Sequence, residues 1–394
     1  MVETPPLITK CRGCHAPGGR FETVLKMQPM PLAGSFPASR VEALAAPLFP
    51  LTWVFCPRCT LLQVLEDIPD DFLFSSYNYA SSSVAGLVKH FVEYADFLSA
   101  RYGVRPIRLL EIGCNDGVLL ARLPAAWDLV GVDPSDVAGR AASPGAPYTL
   151  HNCPFSLSFV EREQLQGRFD VVTGSNCLAH ISGLKDAFAG VHAALQRGGH
   201  FWLEVHDCES LVATEQWDTI YHEHKVEWSE QSLVRCLEPI GFTHVRTQKL
   251  PLHGGLIRIC FEKATATASS DQRSYRPDPR LSHMRMTYEQ RYESPTARRL
   301  AQVQSAGGSV GAFGASGRAN VYLNQLAELR LNYVVDQSPL RVSRFLPHIA
   351  TPVVPLDTFR AEPVDVCLIT AWNYRDQIIA NNAGYGGTWV SAFR

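Results

Sequence analysis

The chain has 394 residues, enough for two or three domains that each bury a core. A net charge of −2 supplies no strong field to hold nucleic acid or an anionic membrane, and no apolar run is long enough to span a bilayer. The first residues, Met1-Val2-Glu3-Thr4-Pro5-Pro6, lack the basic start and apolar stretch of an export signal, so a cytoplasmic enzyme is expected.

The first motif is a pair of knuckles, Cys11-Arg12-Gly13-Cys14 and Cys56-Pro57-Arg58-Cys59. Each places two thiols on one tight turn. Together they offer four sulfur ligands, the set a structural zinc takes, and a site with all four positions filled leaves none for catalysis. The alternative is free or redox-active thiols. Leu51 to Phe55, rich in aromatic and β-branched residues, reads as a strand entering the second knuckle. The other seven of the 11 cysteines are scattered, mostly in apolar stretches where a thiol behaves as a small hydrophobe.

Ile107 to Ile112 reads as a buried parallel strand running into Gly113-Cys114-Asn115-Asp116-Gly117 and then a helical stretch from Val118 to Leu123. Glycines there let a ligand approach the backbone at the carboxyl end of the strand. A second strand, Trp127 to Val132, ends in Asp133, placed to bind a ribose diol. The loop does not match the GxGxxG of dinucleotide binding. Glu111-x-Gly113-x-x-x-Gly117 instead resembles motif I of class I S-adenosylmethionine-dependent methyltransferases. A cofactor without a pyrophosphate needs no phosphate nest. A sulfonium and an amino acid are better served by acidic and amide groups such as Glu111, Asn115 and Asp116. Phe169 to Thr173 reads as the fourth strand, and Leu195 to Phe201, with Gly198-Gly199, as the turn into the fifth.

Tyr221-His222-Glu223-His224 gathers four groups able to donate, accept or move a proton. On a strand the two histidines would share a face. In a loop, His222 would turn away while Glu223 and His224 face the pocket. A zinc site on His222, Glu223 and His224, with His206 or Asp207 as third ligand, is the other reading, but the HExxH spacing of zinc hydrolases is absent.

Residues 264–300 are polar and basic and read as a flexible crossover followed by a surface helix from Leu281 to Arg299. Ser309 to Phe313 then reads as a strand, followed by Gly314-Ala315-Ser316-Gly317-Arg318 and a second strand from Leu331 to Val335 ending at Asp336. This imitates a nucleotide-binding unit and motivates an alternative function, a nicotinamide-dependent sugar-nucleotide oxidoreductase or epimerase. Arg318 could meet a phosphate.

Taken together, the paired knuckles, Tyr77 to Ser83, the cofactor loop, Asn176 to Ile181, the Tyr221–His224 run, His253-Gly254-Gly255, Gly314 to Arg318 and Ala371-Trp372-Asn373-Tyr374 resemble the sugar C-methyltransferases of antibiotic deoxysugar biosynthesis. The resemblance implies an α/β protein: a class I methyltransferase core (76–265) between a small zinc-binding domain (1–75) and a linker helix with a C-terminal Rossmann-like domain (266–394). It implies methylation at carbon 3 of a TDP-linked 4-keto-deoxysugar through a base-generated enolate, by a monomer or weak oligomer with no nucleic-acid or membrane partner. S-adenosylmethionine would be bound by Glu111, Gly113, Asn115, Asp116, Gly117, Asp133 and Asn176, and structural zinc by Cys11, Cys14, Cys56 and Cys59. His224 would be the base and Glu223 would orient an imidazole. Tyr221, Tyr79 and His180 would line the sugar pocket. Three positions depart from the family pattern: Gly34 replaces an asparagine, Leu256 a serine, and Pro339-Leu340-Arg341-Val342-Ser343 a Pro-Leu-Lys-x-Gly segment.

Overall fold

The structure, a computed structural model, describes residues 4–73, 80–83, 85–103, 105–141, 145–264 and 274–393. Along the chain run β1 (Glu22–Met30), β2 (Phe49–Phe55), β3 (Leu62–Val64), β4 (Arg108–Ile112), β5 (Asp128–Val132), β6 (Thr149–His151), β7 (Phe169–Ser175) and β8 (Leu195–His206). They are followed by β9 (Val226–Glu227), β10 (Phe242–Leu250), β11 (Leu256–Lys263), β12 (Val310–Phe313), β13 (Val334–Val335), β14 (Val353–Val354), β15 (Val366–Ile369) and β16 (Thr388–Ser391).

These strands form three sheets. The central one is seven-stranded in the order β10-β11-β8-β7-β4-β5-β6. From β6 to β8 the strands are parallel, whereas β11 pairs antiparallel with both β8 and β10. The parallel strands are apolar along their length because helices cover both faces. The antiparallel hairpin at one edge separates this sheet from an all-parallel dinucleotide-binding sheet. The C-terminal sheet, β14-β13-β12-β15-β16, is wholly parallel.

The N-terminal sheet, β1-β2-β3-β9, takes its last strand from far along the chain: Leu62 pairs with Glu227 and Gln63 with Val226. The strand that follows the Tyr221–His224 run thus completes the knuckle-bearing sheet. Packing runs the same way. Cys11, Cys56 and Cys59 share one apolar cluster with Leu110, Val172 and Phe201 of the central sheet. Leu25 and Trp53 share another with Val310 and Leu368 of the C-terminal sheet.

Several expected elements are redrawn. Val118 to Leu123 carries only a 3-10 turn, Leu120–Arg122. The helix expected from Leu281 to Arg299 is two, Arg280–Glu289 and Pro295–Ser305, because Pro295 has no N–H to continue a helix and starts one instead. Gly198-Gly199 lies inside the long β8, with Gly198 at φ +74° taking up an irregular register against β7. Leu331 to Val335 pairs only at Val334–Val335.

One buried polar cluster ties the core together behind the cofactor loop. Glu204 of β8, fully buried, accepts from Arg258 (Nε at 2.7 Å, Nη2 at 2.6 Å), His90 (2.8 Å) and Ser175 (3.0 Å). The guanidinium of Arg258 also lies over the Tyr94 ring at 4.1 Å. Burial alone would raise the Glu204 carboxyl, but His90 and Arg258 hold it below its ordinary value. Arg258→Met should strand that carboxylate and cost about 3–5 kcal/mol of stability, read as a lowered urea midpoint.

Candidate active site

The four knuckle sulfurs converge. Cys11 and Cys59 Sγ are 3.6 Å apart, Cys14 and Cys56 3.7 Å, and all four lie within 4.8 Å of one another. A tetrahedron with Zn–S bonds of about 2.3 Å has edges of about 3.8 Å, so the thiolates fit zinc without rearrangement. Each knuckle closes in the same way, with a left-handed residue after its second cysteine: His15 at φ +57° and Thr60 at φ +64°.

At the carboxyl ends of β4, β5 and β7 opens a cavity of about 1540 Å³, walled also by the N-terminal segment and by the loops that follow β12, β13 and β15. That is more than one small ligand requires, and enough for a cofactor and a substrate together. Of the residues expected around the cofactor, Gly113, Asn115, Asp133 and Asn176 reach the wall. Gly113 has φ +70°, and a Cβ there would stand 2.5 Å from Cys177 Cβ, so only glycine fits this turn. Asn115 (φ +49°) and Asn176 (φ +54°) hold left-handed backbone at two strand ends, a strain that clusters at binding sites.

Glu111, Asp116 and Gly117 are not among the wall residues. Glu111 is buried under the loop with its Oε2 unpartnered, and burial, then the charges of Asp133 and Glu204, push its carboxyl well above the usual range. Asp116 Oδ1 and Asn176 Oδ1 are also buried without partners. Orphaned acids at the carboxyl end of β4 and an orphaned amide after the adjacent β7 suit a ligand bearing a positive charge and donors. Asp133, expected to meet a ribose, already accepts from the Asn115 and Ser135 amides at 2.9 and 2.8 Å. Those two bonds fix its orientation at the wall and leave lone pairs on each oxygen.

The Tyr221–His224 run is a loop following the 3-10 turn Trp217–Thr219, not a strand, and it sorts its members by direction. Tyr221, Glu223 and His224 line the cavity; His222 does not. His222 Nε2–H donates to the Pro50 carbonyl at 2.8 Å, and its ring meets Phe49 edge-on. Burial lowers His222 to about 4. A neutral buried histidine contributes stability above its unfolded value of about 6.5 that is lost as pH falls toward the folded one. On acidification from pH 6.5 to 5, wild type should therefore lose stability relative to His222→Gln by about 1.4 kcal/mol per pH unit, read from paired denaturant curves.

The geometry of His224 assigns its tautomer. Nδ1 lies 3.2 Å from the Thr219 carbonyl, which can only accept, so Nδ1 carries the proton. Nε2 then presents a lone pair, met by the Tyr221 hydroxyl at 2.6 Å. Burial, then the Arg318 charge, lowers His224 to about 3, so it is neutral at pH 7. His180 stands beside it at 5.1 Å between ring centroids, held by its Nδ1–H donating to the Glu223 backbone carbonyl at 2.7 Å. Glu223 thus orients an imidazole through its main chain. Its carboxyl turns elsewhere: Oε1 accepts from the Gly34 amide at 2.7 Å and Oε2 is buried without a partner. Tyr79 lies outside the described residues.

Arg318 reaches the cavity wall and is held by protein partners. It makes a two-pronged ion pair with buried Asp218 (3.0 and 2.6 Å), bonds Gln216 at 3.1 Å and stacks on Trp372 at 4.9 Å. The pair ties the C-terminal sheet to the loop that carries His224. The alternative zinc set of His222, Glu223 and His224 is not brought together among the described residues. The structure groups His224 with His206 and Glu227 instead, their ligand atoms within 4.8 Å. Neither Glu227 nor the clamp on Asp218 stood out in the sequence. The signal for Glu227 was its place three residues after the histidine, in a segment otherwise apolar enough to be buried.

Three family models tile the chain: a zinc binding domain over residues 11–74, a methyltransferase domain over 88–247 and a C-methyltransferase C-terminal domain over 251–393. The chain is similar to C-methyltransferase NovU of Streptomyces niveus, 28% identical over 97% of this chain and 95% of that protein. Among solved structures it is similar to the 1,6-didemethyltoxoflavin-N1-methyltransferase of Burkholderia thailandensis, at 20% identity and TM-score 0.34, over 52% of this chain and 96% of that one. Magnesium protoporphyrin IX methyltransferase of Synechocystis PCC 6803 is similar at 17% identity and TM-score 0.36, over 45% of this chain and 84% of that one.

The sheet order, the strand-end loop and the methyltransferase match define a class I S-adenosylmethionine-dependent methyltransferase. With a zinc-binding domain before the core and a C-methyltransferase domain after it, the chain belongs to the three-domain C-methyltransferases that its sequence resembles. Its cofactor is S-adenosylmethionine, and the four knuckle thiolates hold structural zinc. The C-terminal match also removes the ground for a nicotinamide-dependent oxidoreductase. Among the described residues, no helix is long and apolar enough to cross a membrane.

Proposed function

We propose that the enzyme methylates carbon 3 of a TDP-linked 4-keto-deoxysugar through an enolate, with His224 as the base. The observation that carries this reading is the Nε2 lone pair of His224, held by Thr219 behind and Tyr221 in front, in the wall of the cavity that the cofactor loop also lines. A proton alpha to a ketone is acidic enough for an imidazole only if the enolate oxygen is stabilised as it forms. The Tyr221 hydroxyl is the donor on that side, with His180 beside His224 and the Glu223 carboxyl, which burial raises above its ordinary value, facing the same cavity. S-adenosylmethionine supplies an electrophilic methyl on a positively charged sulfur. Gly113, Asn115, Asp133 and Asn176 would hold it, with Glu111 and Asp116 beneath the loop as acidic support. Nothing but orientation is then asked of the chain at the methyl-transfer step.

Support for a nucleotide sugar comes from the family resemblance, from the cavity's size and from its wall on the loops after β12, β13 and β15. Tyr79 is assigned to the sugar pocket by that resemblance. Domain limits at 75 and 265, a cytoplasmic setting and a monomer or weak oligomer complete the reading. The test is methyl-labelled cofactor with a panel of TDP-linked 4-keto- and 4-hydroxy-deoxysugars. Label should enter a carbon–methyl group of a keto sugar alone. Label on oxygen or nitrogen, or equal labelling of the 4-hydroxy sugars, would reject it.

A further inference from the structure

Removing a carbon-bound proton turns neutral His224 into a cation in a dry wall, and something must hold that charge. Thr219 offers only a carbonyl dipole. Arg318 opposes it, and Asp218 is already spent on Arg318. Glu227 remains. It is 2% exposed, lines the same cavity, and has its Oε1 3.4 Å from His224 Nδ1 with no hydrogen-bond partner. Its main chain is fixed by pairing with Leu62, and its side chain is buried beside the ring.

We propose that Glu227 is the positioning residue of this base, which rests on the reading of His224 as base: its carboxylate holds the Nδ1 side of the imidazole and pairs with the imidazolium. In the step, the substrate C–H bond breaks and its electron pair stays on the substrate as the enolate. The Tyr221 O–H turns from Nε2 to the enolate oxygen, the substrate proton goes to the freed Nε2, and Nδ1–H turns from the Thr219 carbonyl toward Glu227 Oε1. The pair formed is neutral overall, so a buried site can hold it.

The carboxyl is an unusual one. Burial raises it well above the ordinary carboxylate range, Arg318 pulls it down, and Asp218 pushes it up again. His206, His180, Tyr221 and Glu223 also line the cavity with the pair. The pair therefore takes its first proton above the ordinary carboxylate range, as one coupled unit. Working as a carboxylate, Glu227 makes the rate rise with pH through that protonation. The group that falls silent on acidification is then this pair and not a lone imidazole.

Glu227→Gln keeps the shape and cannot ionise. We expect kcat for methyl transfer to fall about 10²-fold with KM within about threefold, and the acid limb of the wild-type rate profile to vanish. Glu227→Asp should restore the limb at a reduced rate. Independently of turnover, the ¹⁵N shifts of His224 in ligand-free protein should sense in wild type a titration step above the carboxylate range, as Glu227 beside it takes a proton, that Glu227→Gln lacks. Superimposable His224 titrations and rate profiles in wild type and Glu227→Gln would overturn the proposal. A His224→Ala enzyme that still transfers methyl would overturn the base assignment instead, and the titration would still report the pair.

Discussion

His224→Ala should fold as wild type does and lose about 10²- to 10⁴-fold in methyl transfer to a keto sugar, the range a placed base contributes. The side chain touches Tyr221, Thr219 and Glu227, and its removal takes one contact from each but breaks no sheet. The measurement is kcat by labelled methyl transfer, alongside circular dichroism and cofactor binding to show that fold and cofactor site persist. Binding of S-adenosylmethionine should be little changed, because the residues assigned to it sit on the other side of the cavity, on the loops after β4, β5 and β7. Loss confined to KM would place His224 in substrate binding instead. His222→Ala provides the contrast. It should cost stability and leave kcat near wild type, since the ring bonds Pro50 and faces away from the cavity.

Stripping the zinc should abolish activity as completely, although the metal touches no reacting atom. Structural zinc supplies on the order of 10–16 kcal/mol to small Cys-rich folds. Its loss reaches the active site by three routes. β9, immediately after His224, pairs with β3. Lys225 reaches back to Asp70 and the Ile68 carbonyl. Glu223 accepts from Gly34. A Cys56→Ser protein, or wild type treated with a strong chelator, should contain less than one zinc per chain. It should lose methyl transfer, and the segments around 221–227 should exchange amide hydrogens much faster. Full activity in a protein shown to be metal-free would remove zinc from any such role.

How much of this was legible in the sequence varies by mechanism. The two CxxC knuckles and the Glu111–Gly117 loop are local, so spacing alone carries them. The two-residue strands β9 and β13 have no periodicity to read; they exist because a neighbouring strand offers bonds. The pairing of Leu62 with Glu227 spans the chain and could not be inferred from either segment. For the same reason Glu227 went unnoticed, although its carboxyl shares a wall with His224. The strand alternative for Tyr221–His224 fails because the run follows a 3-10 turn, and the loop alternative, with His222 turned out, is the one realised. The ion pair of Arg318 with Asp218 was not legible, because only folding brings that long-range partner near. Gly254 and Gly255, at φ +87° and +129°, pack against Gln216, Trp372 and Ser210, so the family's Gly-Gly serves close approach of backbones here.

Enolate formation can be watched without the methyl-transfer step. In D₂O, with S-adenosylhomocysteine in place of the methyl donor, wild type should exchange one proton at carbon 3 of a TDP-4-keto-deoxysugar for deuterium, followed by proton NMR, and His224→Ala should not. Exchange at equal rates in both proteins, or methylation by wild type with no exchange at carbon 3 under any condition, would contradict a base-generated enolate at His224.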